Sequence, residues 1–274
     1  MKLTVPPKAN GQTLLSFLRD YLQEYPSVKA IKRAIDAKQC RINKRVETFS
    51  TYPLKVNDRV EIKLELEKRS MPLEILYEDE TVIAYNKPPG RTSESFTDYF
   101  LVHRLDKETS GVLLLAKTEL MGDLLAQLFA KREIEKFYLA ICDGKVSQPT
   151  WKVDNFLEKK ASYQGGSLYG STKKGGRRAI SLFQRLETGG ESSLVQVQIL
   201  TGRTHQIRVH LKEKGHPILG DWQYGRHFKC DYQPSRHLLH ASKVVFTHPL
   251  SGEKVVIQAP LGEDFVTAKK VLGI

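Results

Sequence analysis

Between Val102 and Gly111 the chain reads Val-His-Arg-Leu-Asp-Lys-Glu-Thr-Ser-Gly, and it passes directly into the apolar stretch Val112 to Ala116. A short apolar run bounded by turn residues predicts a buried strand, here with a polar loop at its mouth. A loop anchored in a buried strand holds its side chains more firmly than a free turn does. Asp106 is the carboxylate in that loop. It can attack or stabilise an activated intermediate, or it can cap the turn before Thr109-Ser110-Gly111.

Arg208 is the second residue with chemical interest. Thr204 to Lys214 reads as a helix, on which positions 204, 207, 208 and 211 share a face. Arg208 therefore lies beside Ile207 and Leu211 on the apolar side. A charge facing inward needs a partner, and Asp106 is the obvious one; the alternative is a guanidinium that snorkels to the surface. Tyr138 falls in a strand-like segment, where a core or edge tyrosine would be unremarkable. Glu108 reads as exposed rather than as the second carboxylate of a glycosidase pair. His205 and His210 are five apart, the wrong spacing for a helical metal pair, and no ligand cluster predicts a metal.

The elements that must position these groups follow from pattern. Thr81–Tyr85, Gly111–Ala116, Phe137–Ile141, Leu194–Leu200, Val244–Thr247 and Val255–Gln258 read as strands. Met121–Ala130 reads as a helix with Leu124, Leu125, Leu128 and Phe129 on one face. Many strands with few helices predict an α+β fold with a mixed, largely antiparallel sheet. Ser171 to Arg178 reads as a basic flexible loop. Upstream, two helical stretches, Leu14–Leu22 and Val28–Ile35, precede short strands at Cys40–Asn43 and Val56–Ile62, giving a small α/β unit. Lys29, Lys32, Arg33 and Lys38 line the outer side of the second helix, either as a phosphate-binding face or as a solvated one. The charged stretch Glu65–Pro72 reads as a linker, dividing the chain into residues 1–68 and 69–274.

The chain has 274 residues, of which 43 are Lys or Arg and 31 are Asp or Glu, for a net charge of +12. That balance favours a polyanionic partner, although a basic surface also serves solubility. Three widely spaced cysteines indicate neither a disulfide framework nor a thiolate zinc site, and suggest a reducing compartment. No apolar run approaches the ~18 residues of a membrane span, and the start lacks a signal core. A soluble, cytoplasmic protein is expected.

The decapeptide resembles the RluA-type family of RNA pseudouridine synthases. Further segments match in order: Asn86-Lys87-Pro88-Pro89-Gly90, Lys136-Phe137-Tyr138-Leu139-Ala140, Ala179–Phe183, Gly202-Arg203-Thr204-His205-Gln206-Ile207-Arg208-Val209-His210, His216–Asp221, Leu239-His240-Ala241, His248-Pro249 and Ala259-Pro260-Leu261. The resemblance spans about residues 72 to 265, and Arg91 to Leu101 form a shorter segment than family members usually carry there. It implies that Asp106 is the catalytic aspartate, Arg208 its ion-pair arginine, and Tyr138 the tyrosine that stacks on the uracil and takes part in proton transfer. It also implies that Arg104 helps hold the flipped nucleotide. Lys87 and Arg203 are expected to contact RNA, Lys87 as part of the active-site wall. Residues 4 to 66 resemble a diverged αL RNA-binding module first known from ribosomal proteins. The expected substrate is structured RNA, ribosomal more than transfer RNA, acted on by a monomer with no metal or organic cofactor and no membrane partner. A non-catalytic RNA-binding or ribosome-assembly protein on the same fold is the alternative.

Overall fold

The structure, a computed structural model, describes residues 2–21, 28–63, 73–163 and 166–274, with the side chains of 28–30 and 33 excepted. The chain divides into two units, Met1–Pro72 and Leu73–Ile274. The expected linker Glu65–Pro72 and residue Leu22 lie outside the described residues, as do the side chains of Lys29 and Arg33.

In the first unit, β1 (Lys2–Thr4), α1 (Leu14–Tyr21), α2 (Val28–Asp36), β2 (Cys40–Ile42), β3 (Arg45–Val46) and β4 (Arg59–Ile62) follow one another. The strands form an antiparallel sheet in the order β1-β4-β2-β3. Leu14, Phe17 and Leu18 recur at helical spacing, and they pack with Ile31, Ile35, Val60 and Ile62 into one core. Lys32 and Lys38 are exposed.

The second unit comprises β5 (Ile75–Glu78), β6 (Val82–Lys87), β7 (Phe100–Leu101), β8 (Ser110–Ala116), α3 (Glu119–Lys131), β9 (Glu135–Asp143), β10 (Thr150–Tyr163), β11 (Gly166–Thr172), β12 (Arg177–Gly189), β13 (Ser192–Ile199), α4 (Gln206–Glu213), β14 (Leu239–Thr247), β15 (Lys254–Gln258) and α5 (Glu263–Leu272). Its sheet runs β11-β10-β12-β13-β9-β14-β8-β6-β5, with β15 on β14 and β7 on β8. The mixed, largely antiparallel α+β architecture expected from the sequence is therefore present. Every residue of β8 is buried, as its unbroken apolar run requires. Thr118 caps α3, its hydroxyl accepting from the Met121 N–H at 3.2 Å.

Among the described residues, β8 and β14 make the parallel pairing of this sheet, matching Ser110 with His240 and Gly111 with Ala241. Gly111 has φ +107, and a Cβ there would run into the backbone of Ala241. Only glycine tolerates both the angle and the approach. Further along, β8 changes neighbour from β14 to β7, and His103 fills the gap: its Nε2 accepts from the Leu114 N–H at 2.9 Å. No described helix is long and apolar enough to cross a membrane.

Candidate active site

Asp106 precedes β8 in a turn closed by the Thr109 N–H donating to the Asp106 carbonyl at 3.0 Å. The turn is tied down from several sides. The Ser93 hydroxyl donates to the Leu105 carbonyl at 3.2 Å and accepts from the Leu105 N–H at 3.0 Å. Buried Arg236 donates from Nη1 to the carbonyl of Glu108 at 2.9 Å and from Nη2 to the Ser110 hydroxyl at 3.1 Å, while its Nε meets Asp264 at 2.6 Å. Glu108 is half-buried rather than exposed, because this clamp draws its backbone inward.

The turn projects Asp106 into a cleft of about 720 Å³ whose lining includes Tyr138 on β9 and Arg208 on α4. That volume suits a small-molecule or nucleotide-sized guest, for which ~300–1,000 Å³ is usual. Helix α4 is buried from Gln206 to Leu211. Its start is fixed by Gln206, whose Oε1 accepts from the Thr201 hydroxyl at 2.8 Å and the Arg203 N–H at 3.0 Å. The Gln206 amide also donates to the Ile180 carbonyl at 3.0 Å, joining helix to β12.

Arg208 donates from Nη1 to Asp106 Oδ2 at 3.1 Å. Its other edge is bidentate to buried Asp221, Nε to Oδ2 at 2.7 Å and Nη2 to Oδ1 at 2.9 Å, and Nη2 also reaches Gln223 Oε1 at 2.6 Å. Burial opposes the charge, but Asp221 and then Asp106 outweigh it and hold the guanidinium protonated above its ordinary value. The inward-facing arginine thus has the expected partner and a closer one.

His205 sits just before α4 in the left-handed region, φ 57, with Nε2 3.8 Å from Asp106 Oδ2. The Tyr224 hydroxyl accepts from the Tyr169 N–H at 3.0 Å and is also hydrogen-bonded to His205 Nδ1 at 2.8 Å. Burial first, and Arg208 among the nearby charges, lower the pKa of His205 and keep it neutral. The Tyr224 ring also lies 4.9 Å from the Arg208 guanidinium carbon. Tyr138 is buried, and burial together with the Asp106 charge pushes its phenol well above the ordinary value. It is a neutral phenol in this site. No group of His, Cys, Asp and Glu side chains among the described residues is arranged to hold a metal ion.

Residues 86–213 match the family described as RNA pseudouridylate synthase. Ribosomal large subunit pseudouridine synthase C of Buchnera aphidicola is 32% identical, covering 93% of this chain and 92% of its own. The chain belongs to the RNA pseudouridylate synthase family. The uncharacterised RNA pseudouridine synthase YhcT of Bacillus subtilis is 30% identical over 96% of this chain and 94% of that protein. Among solved structures, the human RNA pseudouridylate synthase domain containing 4 is 25% identical with a TM-score of 0.62, covering 73% of this chain and 93% of its own. The family read from residues 72 to 265 is thus shown, by relatives that align over more than nine-tenths of the chain.

Within this pseudouridine synthase the remaining expected residues separate. Arg104 lines the cleft, largely exposed, and pairs with Glu94 at 2.9 Å. Arg203 also lines it, its Nε donating to the Arg178 carbonyl at 3.1 Å. Lys87 requires correction: it is fully buried, and its ammonium donates to the carbonyls of Pro88, Arg91 and Lys107 at 3.0, 2.7 and 3.0 Å. With its three protons taken, it cannot reach an RNA phosphate; it fastens the turn that carries Asp106. Asp221 ends the His216–Asp221 segment, and its acidic type is the signal that could pair it with a buried arginine. Arg236 and Ser93 carried none.

Proposed function

We propose that this synthase converts uridine to pseudouridine in ribosomal RNA, as a cytoplasmic monomer without a metal, using Asp106, Arg208 and Tyr138. The observation that carries the chemistry is the Asp106 carboxylate, held 3.1 Å from a buried arginine in a cleft walled by Tyr138. Ribosomal RNA is favoured because the relatives from Buchnera aphidicola and Haemophilus influenzae, both named as ribosomal large subunit pseudouridine synthases, match over 92% and 91% of their own lengths.

The reaction breaks the bond from the base nitrogen to the sugar, turns the base and joins it through carbon 5, which loses a proton while the freed ring nitrogen gains one. Nothing is consumed, so nucleophilic and acid–base groups suffice. Asp106 attacks or stabilises the activated intermediate, with Arg208 fixing its direction. Tyr138 stacks against the uracil as a neutral phenol. Once the Asp106 charge is engaged by substrate, one cause of its raised pKa is removed and the phenol gives up its proton more readily. Arg104, on the exposed rim, takes the space vacated by the flipped base or its phosphate. Exposed Lys32 and Lys38 on and just after α2 give the first unit a phosphate-binding face.

Asp106→Asn keeps the shape of the side chain and removes its charge. Mapping pseudouridine by carbodiimide modification and reverse transcription in ribosomal and transfer RNA is expected to show a site lost with the gene, restored by wild type and not by this variant. Isomerisation by purified Asp106→Asn protein would overturn the mechanism. In the same assay, Lys32→Glu with Lys38→Glu is expected to weaken RNA affinity and leave single-turnover rate at saturation unchanged; unchanged affinity would remove the first unit from substrate binding.

A further inference from the structure

Lys136 stands two residues from Tyr138 on β9. Alternate residues of a strand share a face about 7 Å apart, and both of these line the cleft. Lys136 is half-buried with its ammonium 5.1 Å from the centre of the Phe129 ring. Arg132, Arg177 and Arg203 line the same cleft, and none of the four cations makes an ion pair among the described residues. Their neighbour Arg178 shows what a paired arginine on this strand looks like, with Nε and Nη2 each 2.8 Å from Asp154. Asp106 is the one acidic residue among those lining the cleft.

Like charges gathered on a partly desolvated wall repel one another, and a half-buried lysine adds little to solubility. Burial and then Arg203 bring the Lys136 ammonium down to about 8, and burial, Arg177 and Arg132 lower Arg203. Such an arrangement is relieved by an anion that touches several of them together. We infer that Lys136 and Arg203, flanked by Arg132 and Arg177, form a binding site for the backbone phosphates beside the uridine that is placed against Tyr138. The inference rests on the RNA substrate proposed above and specifies how the cleft grips it: by the strand's backbone, without regard to base.

The test uses the full chain in the Asp106→Asn background, so that binding is read without turnover, and a fluorescent RNA hairpin with a uridine in its loop. Affinity is measured from about 50 to 200 mM salt. Removing one phosphate contact is expected to lower the slope of log K against log salt by about 0.7, which amounts to about eightfold weaker binding at 50 mM. Lys136→Met and Arg177→Met should each do this, the second changing an exposed side chain that threatens no packing. Lys270→Met, exposed on α5 and outside the cleft, should not. Near pH 8.5, binding should also draw a proton onto the protein, seen by calorimetry in buffers of different ionisation enthalpy, and Lys136→Met should abolish that uptake. A parent that binds with slopes unchanged in both cleft variants overturns the phosphate site alone. A parent that does not bind the hairpin overturns this site and the RNA reading together.

Discussion

The planar guanidinium of Arg208 has two edges, and this chain uses them differently. Asp221, with 1% of its side chain exposed, takes the Nε–Nη2 edge, and this fixes the plane so that Nη1 points at Asp106, which is 26% exposed. One carboxylate is spent on orientation and the other is left facing the cleft. The neutral ring of His205 approaches the same Asp106 oxygen, its Nε2 at 3.8 Å. Asp221→Asn retains one hydrogen bond but loses the charge and the fork, so Arg208 is free to turn and pull Asp106 with it. A misplacement of ~1 Å at a reacting group can cost about a hundredfold in rate. We expect single-turnover rate to fall by about that factor with RNA affinity kept. The urea midpoint should drop as well, because breaking a buried pair costs roughly 3–5 kcal/mol at the limit of full loss. A variant that turns over at the wild-type rate would make Asp221 purely structural.

The elements around the site were legible where side chains carry their own pattern. β8 and β9 announce themselves by apolar, β-branched runs, and α4 by helical spacing around Arg208. The hairpins β10 to β12 were not legible in the same way. Much of Thr150–Tyr163 is exposed, carries Lys152, Lys159 and Lys160 with Asp154 and Glu158, and is held by backbone pairing to β11 and β12 on either side. Of the expected basic loop at Ser171–Arg178, only Lys173 to Gly176 lie outside the strands, with Gly175 and Gly176 at φ 76 and 74. That glycine pair between two runs was the hairpin signal available. Lys87 ends β6, and its charge suggested RNA because its acceptors arise only when Arg91 and Lys107 fold back over it. Burial brings its ammonium down to about 8. Lys87→Met keeps volume but strips three carbonyls of their donor, at roughly 1–3 kcal/mol for each that stays unsatisfied. We expect a lowered urea midpoint and a lower kcat, with KM for RNA little changed because Lys87 does not line the cleft. A rise in KM with unchanged kcat would return Lys87 to the RNA-binding set.

At the scale of the molecule, the buried histidines of the second unit set how it responds to acid. His210 is fully buried; its Nε2–H donates to Asn155 Oδ1 at 2.9 Å and its Nδ1 accepts from Ser181 at 3.0 Å, a network that suits the neutral ring. Burial holds its pKa down at about 4, and burial likewise lowers His237 well below the ordinary range and lowers His240. An unfolded histidine takes its proton near pH 6.5, so between that value and about 4 the unfolded state binds more protons than the folded one. Stability therefore rises with pH in this window; it is full above about 6.5 and is lost as pH falls, by about 1.4 kcal/mol per pH unit for each such ring. Both tryptophans, Trp151 and Trp222, belong to the second unit, and Trp151 stacks on Phe183 at 4.8 Å. Their fluorescence reports this unit's unfolding by urea. From pH 6.5 to 5, above most carboxylate titration, the slope should correspond to two or more protons, and His210→Gln should remove about one of them. A slope that the substitution leaves unchanged would mean that His210 is protonated in the fold, and the Asn155–His210–Ser181 network would then have to be reassigned with His210 donating from both nitrogens.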